Sequence, residues 1–237
     1  MYNLNTTAKL MDTIGLPDPE LGDFNLQMFP FNNTEDTKLP VQFNIWQEAF
    51  DKVRSMIPLV DGDNTHFITI SSKFFGQPGT LRREGLHLDG NFCGDPTFNL
   101  NTWGGTSTTW ADAKTTLEEG YWVVKKAWVD PFNTIVPIGD YVSDELGGIF
   151  LLSSLPGCEL FTGEFSGIEV GNGGDLESQR HIILNQTKKP VIQDKDECWF
   201  ISSNTPHESL EIQSGLRRSF IRVSLNCKYP NKLITKV

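Results

Sequence analysis

The chain has 237 residues, 38% of them hydrophobic, and its 16 Phe and 6 Trp supply the apolar surface that a folded core needs. This composition excludes wholesale disorder, and the length suits a single domain, here residues 1–237. Thirty acidic against twenty basic residues give a formal net charge of -10. That balance argues against an extended nucleic-acid surface, because such a surface needs clustered Lys and Arg.

The sequence also bears on where the protein works. It contains no apolar run of about 18 residues, which a membrane-spanning helix requires. Its first residues lack the charged start and apolar core of a signal peptide. The cysteines are far apart in the sequence, which is typical of reduced thiols in an intracellular protein. They are Cys93, Cys158, Cys198 and Cys227. We therefore expect a cytoplasmic protein without a membrane partner.

The first part of the chain divides into two segments. Residues 1–38 are rich in Asn, Thr, Asp and Pro and are predicted to form an irregular N-terminal arm. Residues 39–58 are predicted to form a supporting helix, because large apolar residues recur there at helical spacing. These residues are Trp46, Phe50, Val53 and Ile57.

From residue 66 to residue 225 the pattern changes to short segments rich in β-branched and aromatic residues. Clusters of Gly, Pro, Asn and Asp separate these segments, as expected for strands joined by turns. The predicted strands are 66–75, 121–129, 147–155, 181–185, 197–203 and 217–225. One helix packed on many short strands favours a mainly β domain, either a sandwich or a jelly roll.

Three polar residues have the types and spacing of a metal site. His87 and Asp89 are two apart, so their side chains point to the same side of a strand, and Gly90 allows the chain to turn away directly afterwards. His207 follows an apolar strand near the other end of the chain. Two imidazoles and a carboxylate suit iron or manganese. The alternative is that His87 and Asp89 are an ordinary polar strand end and His207 a loop residue.

The last predicted strand has one polar side and one apolar side. Arg218 and Arg222 are four residues apart and share a side with Phe220 and Ser224, whereas Ile221, Val223 and Leu225 alternate on the other side. If the apolar side packs against the helix, the arginines face the interior. A buried guanidinium needs an anion, and a dicarboxylate co-substrate would supply one through a bidentate pair.

Together, an H-x-D triplet, a distal His after an apolar strand and an Arg eleven residues beyond it resemble the iron(II)- and 2-oxoglutarate-dependent dioxygenases. The resemblance covers residues 66–225, the expected catalytic core. It implies a double-stranded β-helix, a jelly roll with helices packed on the larger sheet. It also implies that His87, Asp89 and His207 hold Fe(II) and that Arg218 pairs with the distal carboxylate of 2-oxoglutarate.

The identity of the co-substrate anchor stays open at this point. Arg222 with Ser224 forms an R-x-S pair of the kind found in another branch of the family, and Arg217 with Ser219 gives the same pattern. Arg218 has the better spacing and the better face of the strand. We therefore predict Arg218 first, with Arg222 and Ser224 as further candidates for binding 2-oxoglutarate.

The resemblance implies an oxygenase that uses O2 and 2-oxoglutarate to hydroxylate a C–H bond of a small molecule or a residue-sized substrate. Succinate and CO2 would be the co-products, with desaturation or ring closure as other outcomes. Phe92, Trp103 and Trp110, in a long aromatic and Gly-rich loop, either line the substrate pocket or cover the mouth of the barrel. The competing functions are a cupin-type metal enzyme that does not use 2-oxoglutarate and a non-catalytic jelly-roll binding protein.

Overall fold

The protein is described here from a computed structural model, which describes the following residues: 2–20, 22–57, 59, 65–88, 110–118, 121–129, 135–142, 148–171, 174–202, 205–225 and 234–236. For 110–118, 121–129, 135–142 and 234–236 it describes the backbone alone.

The described residues are mainly β, as predicted, and their strands pair antiparallel. The strands are β1 (Tyr2–Asn5), β2 (Ala8–Thr13), β3 (Phe24–Asn32), β4 (Thr65–Phe75), β5 (Trp110–Glu118), β6 (Tyr121–Val129), β7 (Ile135–Val142), β8 (Gly148–Ser153), β9 (Cys158–Thr162), β10 (Glu164–Ile168), β11 (Lys189–Ile192), β12 (Glu197–Ile201), β13 (His207–Ser209), β14 (Leu216–Leu225) and β15 (Ile234–Lys236). The helices are a 3-10 helix (Val41–Trp46) that leads into α1 (Gln47–Ser55), and a second 3-10 helix (Glu177–Gln179) that leads into α2 (Arg180–Gln186).

A six-stranded sheet, which we call the large sheet, has the strand order β2-β12-β8-β14-β4-β3. Its central strands have alternating faces because successive side chains of a strand point to opposite sides. Ile221, Val223 and Leu225 of β14 lie on the outer face and pack with Trp46 and Phe50 in one core. The prediction that the apolar side of this strand packs against the helix is therefore confirmed.

The helical layer is close to the predicted one. The predicted helix at 39–58 is observed as the 3-10 helix and α1, which together span residues 41–55. All four residues of the predicted apolar stripe are buried in the core that the helix shares with the large sheet. The indole Nε1 of Trp46 donates a hydrogen bond to the Pro17 carbonyl (3.0 Å), which attaches the helical layer to the N-terminal chain.

A second, smaller sheet faces the inner side of the large one. We call it the small sheet; it has the strand order β11-β9-β13, and residues 86–88, here named the His87 segment, pair with the free edge of β13. Residues 174–176 pair with the other side of the His87 segment. Leu160 faces the interior with Phe220 of the large sheet, whereas Leu86 and Leu88 pack outward against Ile183 of α2.

The prediction of an irregular N-terminal arm at 1–38 is wrong in part, because three strands form there. β2 pairs with β12 and β3 pairs with β4, at opposite edges of the large sheet, and β1 lies between β10 and β15. Edge strands obtain their order from backbone pairing and need fewer apolar side chains. Most side chains of β2 are at least partly exposed, so its sequence resembles that of a loop.

The segment 181–185 forms part of α2 rather than the predicted strand. Its β-branched residues suggested a strand, but tertiary packing overrides that preference. In α2 only Ile183 is buried, and its neighbours His181 and Leu184 point to solvent. This single buried side chain attaches the short helix to the outer face of the small sheet.

Within the described ranges, no helix is long and apolar enough to cross a membrane. Cys158 and Cys198 are buried, and burial raises the pKa of Cys198 to about 12, with a smaller contribution from Asp12. Cys93 and Cys227 lie outside the described residues.

Substituting Phe50 by Ala tests the helix-on-sheet core. Phe50 is fully buried and packs edge-on against Phe31, with ring centroids 4.9 Å apart. We expect Phe50→Ala to lower the free energy of unfolding by about 3–5 kcal/mol, because it leaves a cavity that the sheet cannot close. Denaturant unfolding measures this change. The matched control is Ile45→Ala, at a helical residue that is 49% exposed, with an expected change within about 0.5 kcal/mol. Equal losses for the two variants would contradict the packing described above.

Candidate functional site

Two histidines from distant parts of the sequence lie directly opposite each other. The backbone N–H of His87 donates to the His207 carbonyl (3.0 Å), and the N–H of His207 donates to the His87 carbonyl (2.9 Å). In such a reciprocal antiparallel pair the two side chains project from the same face of the sheet. The imidazole centroids are 4.5 Å apart. The structure therefore brings together two of the three side chains predicted to bind a metal ion.

The shared face of the two histidines is the interior one. His207 is also paired with Leu160 of β9, and Leu160 is buried between the sheets with Leu151 and Phe220. His207 is 7% exposed and His87 is partly buried. Both imidazoles consequently point into the space between the large and the small sheet.

The backbone holds each imidazole in one orientation. Nδ1 of His87 lies 2.7 Å from the Gly85 carbonyl, and Nδ1 of His207 lies 2.9 Å from the Thr205 carbonyl. A carbonyl only accepts hydrogen bonds, so each Nδ1 carries the hydrogen and each Nε2 keeps its lone pair. Metal-binding histidines commonly have this arrangement, in which one ring nitrogen donates to a backbone carbonyl and the other binds the ion.

The surroundings of His87 favour the neutral ring. Burial and the neighbouring His207 lower the pKa of His87 to about 2, with smaller contributions from Arg83 and Arg222, while the hydrogen bond to Gly85 opposes them. A neutral imidazole is the form that binds a metal ion. The ring is therefore in its metal-binding protonation state at neutral pH.

Asp89, the predicted third ligand, lies outside the described residues. In the part of the chain that the structure describes, no group of three His, Cys, Asp or Glu side chains could hold a metal ion. The two histidines are therefore two of the three predicted ligands, and the third belongs to the chain directly after the His87 segment.

Arg218 lies on the inner face of β14 and is completely buried. Its guanidinium lies over the Phe220 ring (5.4 Å from its carbon to the centroid), and its Nε donates to Ser153 Oγ (2.8 Å). Nη1 and Nη2 form no hydrogen bond to a nitrogen or oxygen of the described residues. Burial lowers the pKa of Arg218, and the nearby Cys158 thiol opposes this shift. The terminal nitrogens thus lack a nitrogen or oxygen acceptor among the described residues, and the guanidinium also contacts the Cys158 thiol.

Gly157 and Gln193 line the space beside this guanidinium. A Cβ on Gly157 would collide with Gln193 Oε1 and lie 2.8 Å from Arg218 Nη2. Gln193 is held in place because its Nε2 donates to the carbonyls of Leu151 (3.0 Å) and Glu197 (2.9 Å). Its Oε1 is buried without a hydrogen-bond partner among the described residues. Unsatisfied donors and an unsatisfied acceptor therefore lie together beside Gly157, where the neighbouring atoms leave no room for a Cβ.

The positions of the Arg218 guanidinium and of the histidines can be compared through β9, which is close to both. Arg218 is beside Cys158, and His207 is paired with Leu160, two residues further along the same strand. Both residues of β9 face the same inner core. Two residues of strand correspond to about 7 Å. Cys158 and Leu160, the neighbours of Arg218 and His207 respectively, are therefore about 7 Å apart along the small sheet.

The three arginines that the sequence offered as the 2-oxoglutarate anchor occupy different positions in the structure. Arg217 projects from the opposite side of β14 and donates to the Gly22 carbonyl (2.6 Å) and to Asp23 (3.4 Å). Arg222 is partly buried and near enough to His87 to influence its pKa. Ser224 is fully buried, and its hydroxyl has no hydrogen-bond partner among the described residues. Arg218 and Arg222 thus lie toward the interior, and Arg217 does not.

Several residues of the site were not predicted from the sequence. The carbonyls of Gly85 and Thr205 contact the histidine rings, and nothing in the sequence marks them, because every residue carries a carbonyl. Gly157 and Gln193 carry no sequence signal, because only the three-dimensional packing brings them to Arg218. Of the predicted substrate residues, Phe92 and Trp103 lie outside the described residues. Trp110 begins β5, and its side chain lies outside them as well.

Comparisons with protein-family models, with curated proteins and with solved structures return no match for this chain. Function is therefore inferred from the geometry of these side chains.

The orientation of the two imidazoles can be tested by NMR of the metal-free protein at neutral pH. We expect both His87 and His207 to carry the proton on Nδ1, because each Nδ1 faces a backbone carbonyl, and long-range 15N–1H correlations distinguish the two ring nitrogens. His181, exposed on α2, is the control and should show exchange between both tautomers. A proton fixed on Nε2 of either inner histidine would contradict the described hydrogen bonds.

Proposed function

We propose that this protein is an Fe(II)- and 2-oxoglutarate-dependent oxygenase that hydroxylates a C–H bond of a small molecule or a residue-sized substrate. One observation carries the proposal: the His87–His207 pair and the fully buried Arg218 face the same core between two sheets. The histidine pair is suited to binding a metal ion, and the Arg218 guanidinium is suited to binding an anion.

We also propose that the fold is a double-stranded β-helix, the jelly roll that the sequence resemblance implies. The support comes from eight segments that divide equally between the two sheets. In the large sheet they have the order β12-β8-β14-β4, and in the small sheet they have the order β11-β9-β13-His87 segment. Two four-stranded antiparallel sheets built from eight strands are typical of a jelly roll. The packing of α1 on the large sheet agrees with this assignment.

The residues fit an iron(II) site. His87 and His207 present Nε2 lone pairs from neighbouring backbone positions, and Asp89 would add the carboxylate. Two imidazoles and one carboxylate are the ligand set of non-haem iron(II) oxygenases. When bound, the iron would supply the oxygen activation that converts 2-oxoglutarate to succinate and CO2 and oxidises the substrate. The chain's own contribution is to fix both rings through the carbonyls of Gly85 and Thr205, while burial keeps the His87 ring neutral.

Arg218 fits the distal carboxylate of 2-oxoglutarate. An uncompensated buried charge destabilises a protein by several kcal/mol, so the open guanidinium favours an anionic ligand. Nη1 and Nη2 can donate to one carboxylate in a bidentate pair, and Ser153 holds the opposite edge of the guanidinium through Nε. The separation of about 7 Å along β9 allows the other end of the same ligand to reach the histidines.

The walls of this space are apolar and keep water away from it. Leu151, Leu160, Ile201 and Phe220 are buried around it. A dry environment strengthens the charge-assisted hydrogen bonds to the co-substrate and fixes its orientation. Arg222, close to His87 on the same side of β14, would contact the co-substrate or the substrate, and Ser224 is the remaining predicted contact.

The central test compares the anion-binding and metal-binding parts of the site. We expect the wild-type protein, supplied with Fe(II), 2-oxoglutarate and O2, to form succinate above the metal-free background. We expect Arg218→Met to weaken 2-oxoglutarate binding by about 10- to 100-fold, the loss that a charged hydrogen-bond pair causes. Metal affinity should stay unchanged. Calorimetric titration with Mn(II) and 2-oxoglutarate measures both affinities.

The controls for this test come from neighbouring residues. Arg217→Met should leave both affinities unchanged, because Arg217 lies on the opposite side of β14 and binds Asp23. Arg218→Met should not lower the melting temperature, since it removes a buried charge that lacks a carboxylate partner among the described residues. Equal loss of metal and 2-oxoglutarate binding would assign Arg218 a folding role. The proposed function would be refuted if succinate formation stayed at the background level and 2-oxoglutarate showed no metal-dependent binding. Metal-dependent turnover of a substrate without formation of succinate would favour the cupin-type alternative.

A second variant tests the space beside Arg218 without altering a charged group. In Gly157→Ala, the added methyl group lies against Gln193 and Arg218 Nη2, so it would displace the guanidinium. Overpacking of this kind typically costs about 1–3 kcal/mol, and we expect 2-oxoglutarate affinity to fall by about tenfold or more. Metal affinity should not change. Gly15→Ala, where no atom lies within 4 Å of the added carbon, is the matched control. The same 2-oxoglutarate affinity in both variants would contradict the assignment.

A further inference from the structure

Arg180, the first residue of α2, bridges two carboxylates. Its Nε donates to Glu177 Oε1 (2.7 Å) and its Nη2 donates to Glu177 Oε2 (2.9 Å). Nη1 and Nη2 also donate to the two oxygens of Glu208, at 3.1 and 2.5 Å. One guanidinium thus forms a two-pronged contact with each acid. We refer to Arg180, Glu177 and Glu208 as the Arg180 network.

The first acid of the network contacts the chain next to His87. Glu177 Oε2 accepts a hydrogen bond from the backbone N–H of Leu86 (3.0 Å). Gly85 has a φ of +79°, and a Cβ there would lie only 3.2 Å from the same oxygen. A residue other than glycine would be strained by that backbone angle and crowded by Glu177. The carbonyl of Gly85 in turn accepts from His87 Nδ1.

The second acid of the network is the neighbour of His207. Because successive residues of a strand point to opposite sides, Glu208 projects outward from β13 while His207 projects inward. Glu208 is directly paired with Glu159 of β9, and like charges opposite each other destabilise a strand pair. The guanidinium of Arg180 offsets this repulsion.

The pairing that joins the two histidines is short. β13 has three residues, and the His87 segment meets it at a single bridge with two backbone hydrogen bonds. Such a ladder offers little resistance to sliding or opening. Side-chain contacts made from outside the sheet therefore determine how firmly the two histidines are held.

We propose that Arg180 is a positioning residue that fixes the spacing of His87 and His207 from the outer side of the small sheet. Glu177 connects it to the His87 segment, and Glu208 connects it to β13. The role in metal binding rests on the proposed function of the two histidines. The role in holding the two segments together does not.

The charges of the network support this role. The hydrogen bonds from Arg180 and from the Leu86 backbone lower the pKa of Glu177 to about 2, and both acids raise the pKa of Arg180. Glu177 and Arg180 are consequently both ionised at neutral pH. Isolated surface ion pairs contribute little to stability, but forked contacts in a network contribute more and give directional restraint.

The experiment has a metal-free part. In Arg180→Gln we expect hydrogen exchange of the His87 and His207 backbone amides to accelerate by about tenfold or more, because their mutual hydrogen bonds open more often. Amides in the centre of β4 and β14 should keep their rates. Arg180→Lys should give an intermediate effect, since an ammonium group lacks the planar fork that reaches both acids. NMR-detected exchange measures every amide in one sample.

The second part titrates Mn(II) as the metal probe. Loss of a residue that orients metal ligands typically weakens metal affinity by about 10- to 100-fold, and we expect that loss for Arg180→Gln. Arg54→Gln is the matched control: Arg54 of α1 also contacts two acids, Asp36 and Asp51, but on the remote side of the large sheet. It should change neither measurement.

The two parts separate failure of this inference from failure of the proposed function. If wild-type protein does not bind Mn(II), the metal function fails, and the amide exchange still decides whether Arg180 holds the two segments. The role of Arg180 is supported if amide exchange in Arg180→Gln accelerates selectively at His87 and His207. If the wild-type protein binds Mn(II), the variant should also bind it more weakly. Three results would overturn it. The first is an unchanged exchange rate at both amides, and the second is an unchanged Mn(II) affinity in Arg180→Gln when the wild-type protein binds Mn(II). The third is an effect of Arg54→Gln equal to that of Arg180→Gln.

Discussion

The candidate site depends on one contact, the reciprocal pair of backbone hydrogen bonds between His87 and His207 (3.0 and 2.9 Å). The two residues are distant in the sequence, and this pair brings their side chains to the same face. It also determines which face they share, because His207 is paired on its other side with the inward-facing Leu160. A shift of register by one residue would turn either imidazole to the opposite face, where Leu86, Leu88 and the contacts of α2 lie.

The position of Arg218 follows from a second constraint, the alternation of β14. Its outer residues are committed to the core beneath α1, so Arg218 and Phe220 must face the interior. A charge in that position is unfavourable unless a ligand compensates it. Proteins retain such groups at functional sites at the expense of stability. The same strand therefore explains how the helical layer is anchored and why a guanidinium is available inside the fold.

Much of this arrangement could be predicted from the sequence because it depends on local periodicity. The apolar stripe of the helix, the two faces of β14 and the convergence of His87 with His207 follow from spacings of 3.6 and 2 residues or from the resemblance. The edge strand β2 could not be predicted, since its side chains are mostly exposed and its order comes from backbone pairing to a strand far away. The edge strand β3 was missed although its Leu26 and Phe31 are buried in the core. The segment 181–185 was misassigned because packing of Ile183 outweighs the strand preference of its neighbours. Gly157 and Gln193 reach Arg218 through tertiary folding alone, and Asp89, Phe92 and Trp103 lie outside the described residues.

The central claim is that one interior space binds a metal ion at the histidines and a dicarboxylate at Arg218. The most direct measurement is a crystal structure of the protein prepared anaerobically with Fe(II) and 2-oxoglutarate. The account predicts a metal ion bonded to Nε2 of both His87 and His207, with one carboxylate of 2-oxoglutarate on Nη1 and Nη2 of Arg218. A metal ion bound elsewhere, or 2-oxoglutarate bound without contact to Arg218, would contradict it.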